Sequence, residues 1–181
     1  MRVDWWVVVL VTAVVLFGLY LRGLAGRLDR LHVRVEAAAE ALDAQLVRRS
    51  AAVLETATCG LLDPASSMLL ADAAHAAQVA EPPQREQVES ALTHALRATL
   101  DGPEVSEVMA SGGPGQEVLA DLAEACHRVV LARRFHNDAA AATFRLRRQR
   151  VVRYLRLAGS APMPRTFEMD DLPPEPLRIP G

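Results

Sequence analysis

Between Trp5 and Leu21 the chain reads WWVVVLVTAVVLFGLYL, about 17 residues without a charge, close to the length a helix needs to cross the hydrocarbon core of a bilayer. No other stretch limits the fold as strongly, because a helix that is apolar on every face must be surrounded by lipid or by protein. Trp5 and Trp6 stand at one end and Tyr20 at the other, where amphipathic rings favour the boundary between headgroups and acyl chains. Leu10, Leu16, Phe17 and Leu21 supply bulk between and beside them. The run covers about 25 Å at about 1.5 Å per residue, slightly less than the hydrocarbon thickness. Arg22 closes the gap by laying its stem along the apolar zone and raising its guanidinium to the headgroups, which adds Gly23, Leu24 and Ala25 to the span. Residues 1–25 are therefore expected to be a transmembrane anchor, 26–158 a helical bundle and 159–181 an extended or disordered tail.

Charge sets the orientation. Before the span only Arg2 and the amino terminus are positive, partly offset by Asp4, whereas Arg22, Arg27, Arg30 and Arg34 follow it closely. The positive-inside rule places the amino terminus outside and the bulk of the chain in the cytoplasm, as a single-pass protein of the cell membrane. The alternative is a cleaved signal peptide ending near Gly23-Leu24-Ala25. It is disfavoured by the thin positive n-region, the long apolar run and the charge of Arg22 next to the small residues.

Past the span the apolar residues Leu24, Leu28, Leu31, Val35, Ala38, Leu42, Leu46 and Val53 recur at spacings of a single helical face. No proline lies between residues 1 and 63, so one helix is expected to run from the anchor to about Thr58. Gly60 ends it, and Asp63-Pro64 opens a further helix to Val79, with Asp63 as cap, read as the first helix continued after a kink. Glu81-Pro82-Pro83 makes a turn, and Gln84–Leu100 carries Val88, Leu92, Leu96 and Leu100 on one stripe. Glu104–Ala110 adds a short helix after Asp101-Gly102-Pro103. Ser111-Gly112-Gly113-Pro114-Gly115 lacks the Gly-Lys-Ser/Thr ending of a phosphate loop and reads as a linker. A second long helix from Gln116 to about Leu157 has its seam at Leu119, Leu122, Cys126, Val129, Arg133, His136, Ala140 and Phe144. Prolines 162, 164, 173, 174, 176 and 180 exclude helix from the tail, which is acidic around Glu168, Asp170 and Asp171. The expected fold is all-α: a transmembrane helix continuing into an antiparallel three- or four-helix bundle.

Composition narrows the chemistry. The net charge of −2 gives no general pull toward nucleic acid, and with aromatics at 4% there are few rings on which bases stack. All 20 basic residues are arginine, and the two cysteines, Cys59 and Cys126, read as small apolar side chains in helix cores rather than a bridge. His32, Glu36 and Glu40 share a helix face but read as solvated, and His75, His94 and His127 lack metal-ligand company. Arg85-Glu86-Gln87-Val88-Glu89 matches the centre of the Nudix box, a magnesium-dependent hydrolase motif. Ser90 and Ala77 stand where that pattern has glutamates, and Leu92 where it has glycine, so the hydrolase is the weaker alternative. Arg145, Arg147, Arg148, Arg150, Arg153 and Arg156 are interleaved with Phe144, Val151, Val152 and Leu155, a basic amphipathic stretch. With Arg22 it is expected to touch anionic lipid, although cations also gather at helix C-termini for reasons of the dipole alone. The sequence offers no catalytic residue, cofactor, metal or small-molecule substrate. It points to a non-catalytic interaction or scaffold protein whose partners are membrane lipid and a protein or a second copy of itself.

Three stretches carry a resemblance. Leu42-Asp43-Ala44-Gln45-Leu46-Val47-Arg48-Arg49 is similar to an Ile-Asp-x-Gln-Leu-x-Arg-Arg signature, Ala132-Arg133-Arg134-Phe135-His136-Asn137 to an Ala-Arg-Arg-Tyr-Tyr-Asn run, and Phe167-Glu168 to a terminal Phe-Glu pair. Together they resemble the LemA family of bacterial membrane-anchored helical proteins over roughly residues 5–169. The Pro-Asn that usually follows the Arg-Arg pair is replaced by Ala52-Val53, and the aromatic-Pro-Ser after the last helix is missing. The resemblance implies one N-terminal span, a cytoplasmic antiparallel bundle and no established catalytic residues.

Overall fold

The computed structural model describes residues 5–155 and 162–179, and among these every regular element is helical. The order is α1 (Trp5–Thr58), α2 (Pro64–Val79), α3 (Pro82–Leu100), α4 (Pro103–Ser111), α5 (Pro114–Arg147), α6 (Arg150–Tyr154) and a short 3-10 helix, η1 (Glu175–Leu177). Two compact units result. One comprises Met1–Ala37 with Asp138–Arg165, the other Ala38–Asn137 with Thr166–Gly181. The division falls near residue 37, and residues 166–179 group with the second unit.

The helix limits follow local chemistry. Gly60 adopts φ 80°, the left-handed conformation that a residue without Cβ takes freely, and the chain leaves α1 there. Asp63 caps α2 by accepting from the amides of Ala65 at 2.9 Å and Ser66 at 3.2 Å. The Ser66 hydroxyl and amide, with that of Ala65, hold the Asp63 carboxyl below its usual range. Pro64, Pro82, Pro103 and Pro114 each occupy a first helical turn, where a missing N–H costs nothing.

In the second unit Val53 and Ala57 of α1 share a core with Leu70, Ala74 and Ala77 of α2, Leu92, Leu96 and Leu100 of α3, Val105 of α4, Leu119, Leu122 and Cys126 of α5, and Leu177 of η1. Ion pairs fix how α3 lies: Arg85 meets Asp43 at 3.0 Å and Arg49 meets Glu89 at 2.6 Å, so residue numbers rise together along α1 and α3. Reaching the start of α3 at the level of Asp43 requires α2 to turn back from Thr58. The expected kinked continuation of α1 is therefore corrected to a reversal. Met68 and Leu69 face outward while Leu70 is buried.

Between 162 and 179 the tail is extended apart from η1, and its backbone is bonded to α3. Glu168 N–H donates to Glu86 Oε1, Asp170 N–H to Ser90 Oγ and Glu175 N–H to Asp101 Oδ1. From Glu168 to Glu175 an extended chain advances about 23 Å. From Glu86 to Asp101 a helix advances about 22 Å, so the strap keeps step with α3. Its prolines exclude helix yet permit this conformation, and Leu177 pins the end at 1% exposure. Leu177→Ala should lower stability by about 2 to 5 kcal/mol, as buried leucine truncations do. Trypsin should then cut at Arg165 and Arg178 sooner than in the parent chain; unchanged digestion would show that the strap is held elsewhere.

In the first unit Leu24 and Leu28 bury against Leu146 and Val152, with Leu31 and Val151 packed alongside. The second long helix, expected to reach Leu157, breaks after Arg147, and Gln149 is extended (ψ 136°) before α6 begins. On an unbroken helix Leu146 and Val152 would point about 120° apart. The break lets both enter one cluster. Arg156 and the segment from there to residue 161 lie outside the described residues, as do Arg2, Asp4 and Pro180.

Candidate functional site

The residues assigned to the anchor occupy the exposed surface of α1. Trp5 is 76% exposed and Phe17 52%; Trp6, Leu10, Leu16 and Tyr20 are also exposed, and Leu21 is half-buried. This is the one helix among the described residues long and apolar enough to cross a membrane. Leaving such a run in water would be far more costly than the scattered apolar exposure that soluble surfaces carry. Of the residues assigned to lipid contact, Arg22, Arg148, Arg150 and Arg153 are exposed. Arg147 is half-buried and donates to the Pro162 carbonyl at 2.7 Å. Phe144, expected in the seam of α5, is 41% exposed beneath the Arg148 guanidinium, and Thr143 is buried in its place.

The second unit contains a polar network that periodicity alone did not single out. Arg49 is 2% exposed and Glu89 is fully buried. Arg49 donates to Glu89 Oε2 at 2.6 Å, to the Glu89 carbonyl at 3.2 Å and to Thr93 Oγ1 at 3.0 Å. Arg85 Nε takes the other carboxylate oxygen at 3.3 Å. The signal was present in helical phase: Arg49 falls on the stripe of Leu42, Leu46 and Val53, and Glu89 on that of Leu92 and Leu96. Val88, expected on the stripe, is only half-buried. The Nudix-like segment thus uses its glutamates structurally, Glu89 between two arginines and Glu86 on the Glu168 amide. Among the described residues no group of three or more His, Cys, Asp or Glu is placed to hold a metal.

A second cluster, Leu42, Leu46 and Val129 with Ala132, Phe167 and Met169, seats the strap. Asn137 clasps the Phe167 backbone on both sides, donating to its carbonyl at 3.2 Å and accepting from its amide at 2.8 Å. Beside it a groove of about 280 Å³ is lined by Leu42, Asp43, Arg85, Glu86, His136 and Phe167. A shallow hollow of about 330 Å³ lies between Arg48, Glu55, Asp121 and Arg128, with charges of both signs and no convergent geometry for one ligand. Cys126 is buried, and burial pushes its thiol up, away from reactivity. Cys59, expected in a helix core, is instead exposed just beyond α1, its thiol donating to the Thr56 carbonyl.

Two ion pairs complete the strap: Asp171 with Arg133 at 2.7 Å, and Asp170 with Arg97 at 2.5 Å, with His94 at 3.8 Å. Arg97 holds the Asp170 carboxyl below its ordinary value, with help from the Leu172 amide. A carboxylate depressed in the folded state contributes stability above its unfolded value of about 3.9, and that contribution is lost as pH falls through the lower folded value. Hydrogen exchange across 166–172 should therefore stay protected at neutral pH and loosen below the usual carboxylate range. Asp170→Asn should already be loosened at neutral pH; protection identical to the parent's would show that the pair does not hold the strap.

Comparison of the chain with protein-family profiles, with curated proteins and with solved structures gave no match in any of the three.

Proposed function

We propose that this chain is a single-pass membrane protein of LemA-like kind whose helices pack as an antiparallel bundle in the cytoplasm, serving as a non-catalytic scaffold for a partner protein or a second copy of itself. The observation that carries the reading is the apolar surface from Trp5 to Tyr20, exposed at every residue but the half-buried Val7, on a helix that buries one face further along. Lipid is the medium that removes such a surface from water without a second protein.

The antiparallel arrangement is supported by Leu42 and Leu46 meeting Val129, while Glu55 lines the same hollow as Asp121 and Arg48 the same hollow as Arg128. The LemA-like reading is supported by the convergence of its three stretches: Leu42 and Leu46, Ala132 and Asn137, and Phe167 lie together around the strap. Exposed Val47 and Phe135 offer apolar contact to a partner.

Labelling from outside intact cells tests the topology. With Cys59 changed to Ser, Arg2→Cys should react with an impermeant maleimide, and Glu175→Cys only after permeabilisation. The opposite pattern would invert the orientation, and loss of residue 2 from the mature chain would establish a cleaved leader. In-cell crosslinking with mass spectrometry then identifies the partner.

A further inference from the structure

We infer that the first unit is a headgroup clamp, in which arginines of α1 and of the α5–α6 break bind the phosphates of anionic lipids; the inference rests on the membrane-anchor reading above. Leu24 and Leu28 lie about 3 and 9 Å beyond Arg22 along α1. With the span reaching Ala25, Leu24 sits at the edge of the hydrocarbon and Leu28, about 4 to 5 Å past Ala25, within the headgroup layer, which is about 5 to 7 Å deep on each side. Whatever packs on them is brought to the same depth. Leu146, Val151 and Val152 pack on them.

On the anchor reading the break in α5 therefore brings α6, through Val151 and Val152, to the depth of the lipid boundary. Around this seam Arg22, Arg27 and Arg30 are exposed on α1, and Arg148, Arg150 and Arg153 on the other segment. None of the six forms an ion pair with a described residue. Asp29 is the one carboxylate among α1 residues 22–34, and none occurs between 139 and 155. Tyr154 is 77% exposed with Arg153 over its ring, and Leu155 is 46% exposed, so the outer side of α6 offers an aromatic–cation pair and an aliphatic side chain. Guanidinium groups bind phosphate oxygens in a bidentate fork, and a ring with a polar tip prefers the interface. The same arginines in solution would repel one another. A negatively charged leaflet removes that repulsion and sets the chemical class of the ligand: a lipid with a net negative headgroup.

The test uses the full chain in nanodiscs, with Cys59→Ser and an environment-sensitive fluorophore on Tyr154→Cys; Cys126 is buried and stays unlabelled. In phosphatidylcholine discs doped with phosphatidylglycerol the emission should blue-shift relative to pure phosphatidylcholine, and the shift should vanish near 1 M salt, where the Debye length is about 3 Å. The variant R148Q/R150Q/R153Q should lose docking by roughly 100-fold, about fivefold per arginine, with an unchanged unfolding midpoint because all three are exposed. Equal emission in both lipids, or in parent and variant, would overturn the clamp while leaving the anchor intact. A shift produced in phosphatidylcholine discs by inorganic phosphate would overturn it in favour of a free-anion site, and one produced by an oligonucleotide in favour of nucleic acid. Failure of the chain to co-elute with discs would remove the anchor itself, and the clamp with it.

Discussion

Arg49→Ala should cost about 3 to 5 kcal/mol, the loss expected when one partner of a buried ion pair is removed and the other stays behind uncompensated. Glu89 would keep only Arg85, at 3.3 Å on one oxygen, while Oε2 lost a 2.6 Å charge-assisted bond in a site without solvent. Glu89→Ala should be similarly damaging, since it leaves the Arg49 guanidinium with Thr93 as its remaining side-chain partner. The pair need not stabilise the fold relative to apolar residues. Arg49→Met combined with Glu89→Leu should recover most of the loss, because it removes both desolvated charges together. Urea unfolding in detergent, followed by far-ultraviolet circular dichroism, measures the cycle. A single-variant loss below about 1 kcal/mol would mean that water reaches the pair, as at an exposed bridge. What the network supplies is alignment: with Arg85 and Asp43 it fixes the register of α3 along α1, and α3 carries the strap.

Leu10→Arg together with Leu16→Arg should abolish stable insertion. Each exchange trades a residue that favours the bilayer for one costing about 2.5 to 3.5 kcal/mol near the helix centre, so the pair shifts the balance by about 6 to 8 kcal/mol. The parent chain should stay in the pellet after alkaline carbonate extraction, and the double variant should appear in the supernatant or in aggregates. A double variant that still resists carbonate would show that the apolar run is held by protein rather than by lipid. The substitutions fall where α1 is exposed, so the packing of Leu24 and Leu28 is untouched.

Much of the helical layout was legible because it depends on neighbours in sequence. Proline at a first turn, glycine at φ 80° and an aspartate two residues before an amide act over one turn of chain, and they place α2, α3 and α4 within a few residues. Of the stripe read along α1, Leu24, Leu28, Leu42, Leu46 and Val53 are buried, while Leu31, Val35 and Ala38 are half-buried. Distinguishing Arg48 from Arg49 was within reach of the same phase argument, which assigns Arg49 to the core. A charged residue on an apolar stripe marks a partner elsewhere, but the sequence does not say which carboxylate answers it.

The chain alone determined that it is helical, where its helices end, and that its first helix is long and apolar enough to cross a membrane, since each of these is a property of composition or of spacing along a few turns. Only tertiary packing decided that α2 turns back, that α5 breaks after Arg147, and that the proline-rich tail lies along α3. Those outcomes depend on free energies shared between residues far apart in sequence. Leu146 and Val152 both gain by meeting Leu24 and Leu28, and Asp170 gains by meeting Arg97. No window along the chain contains both halves of either contact.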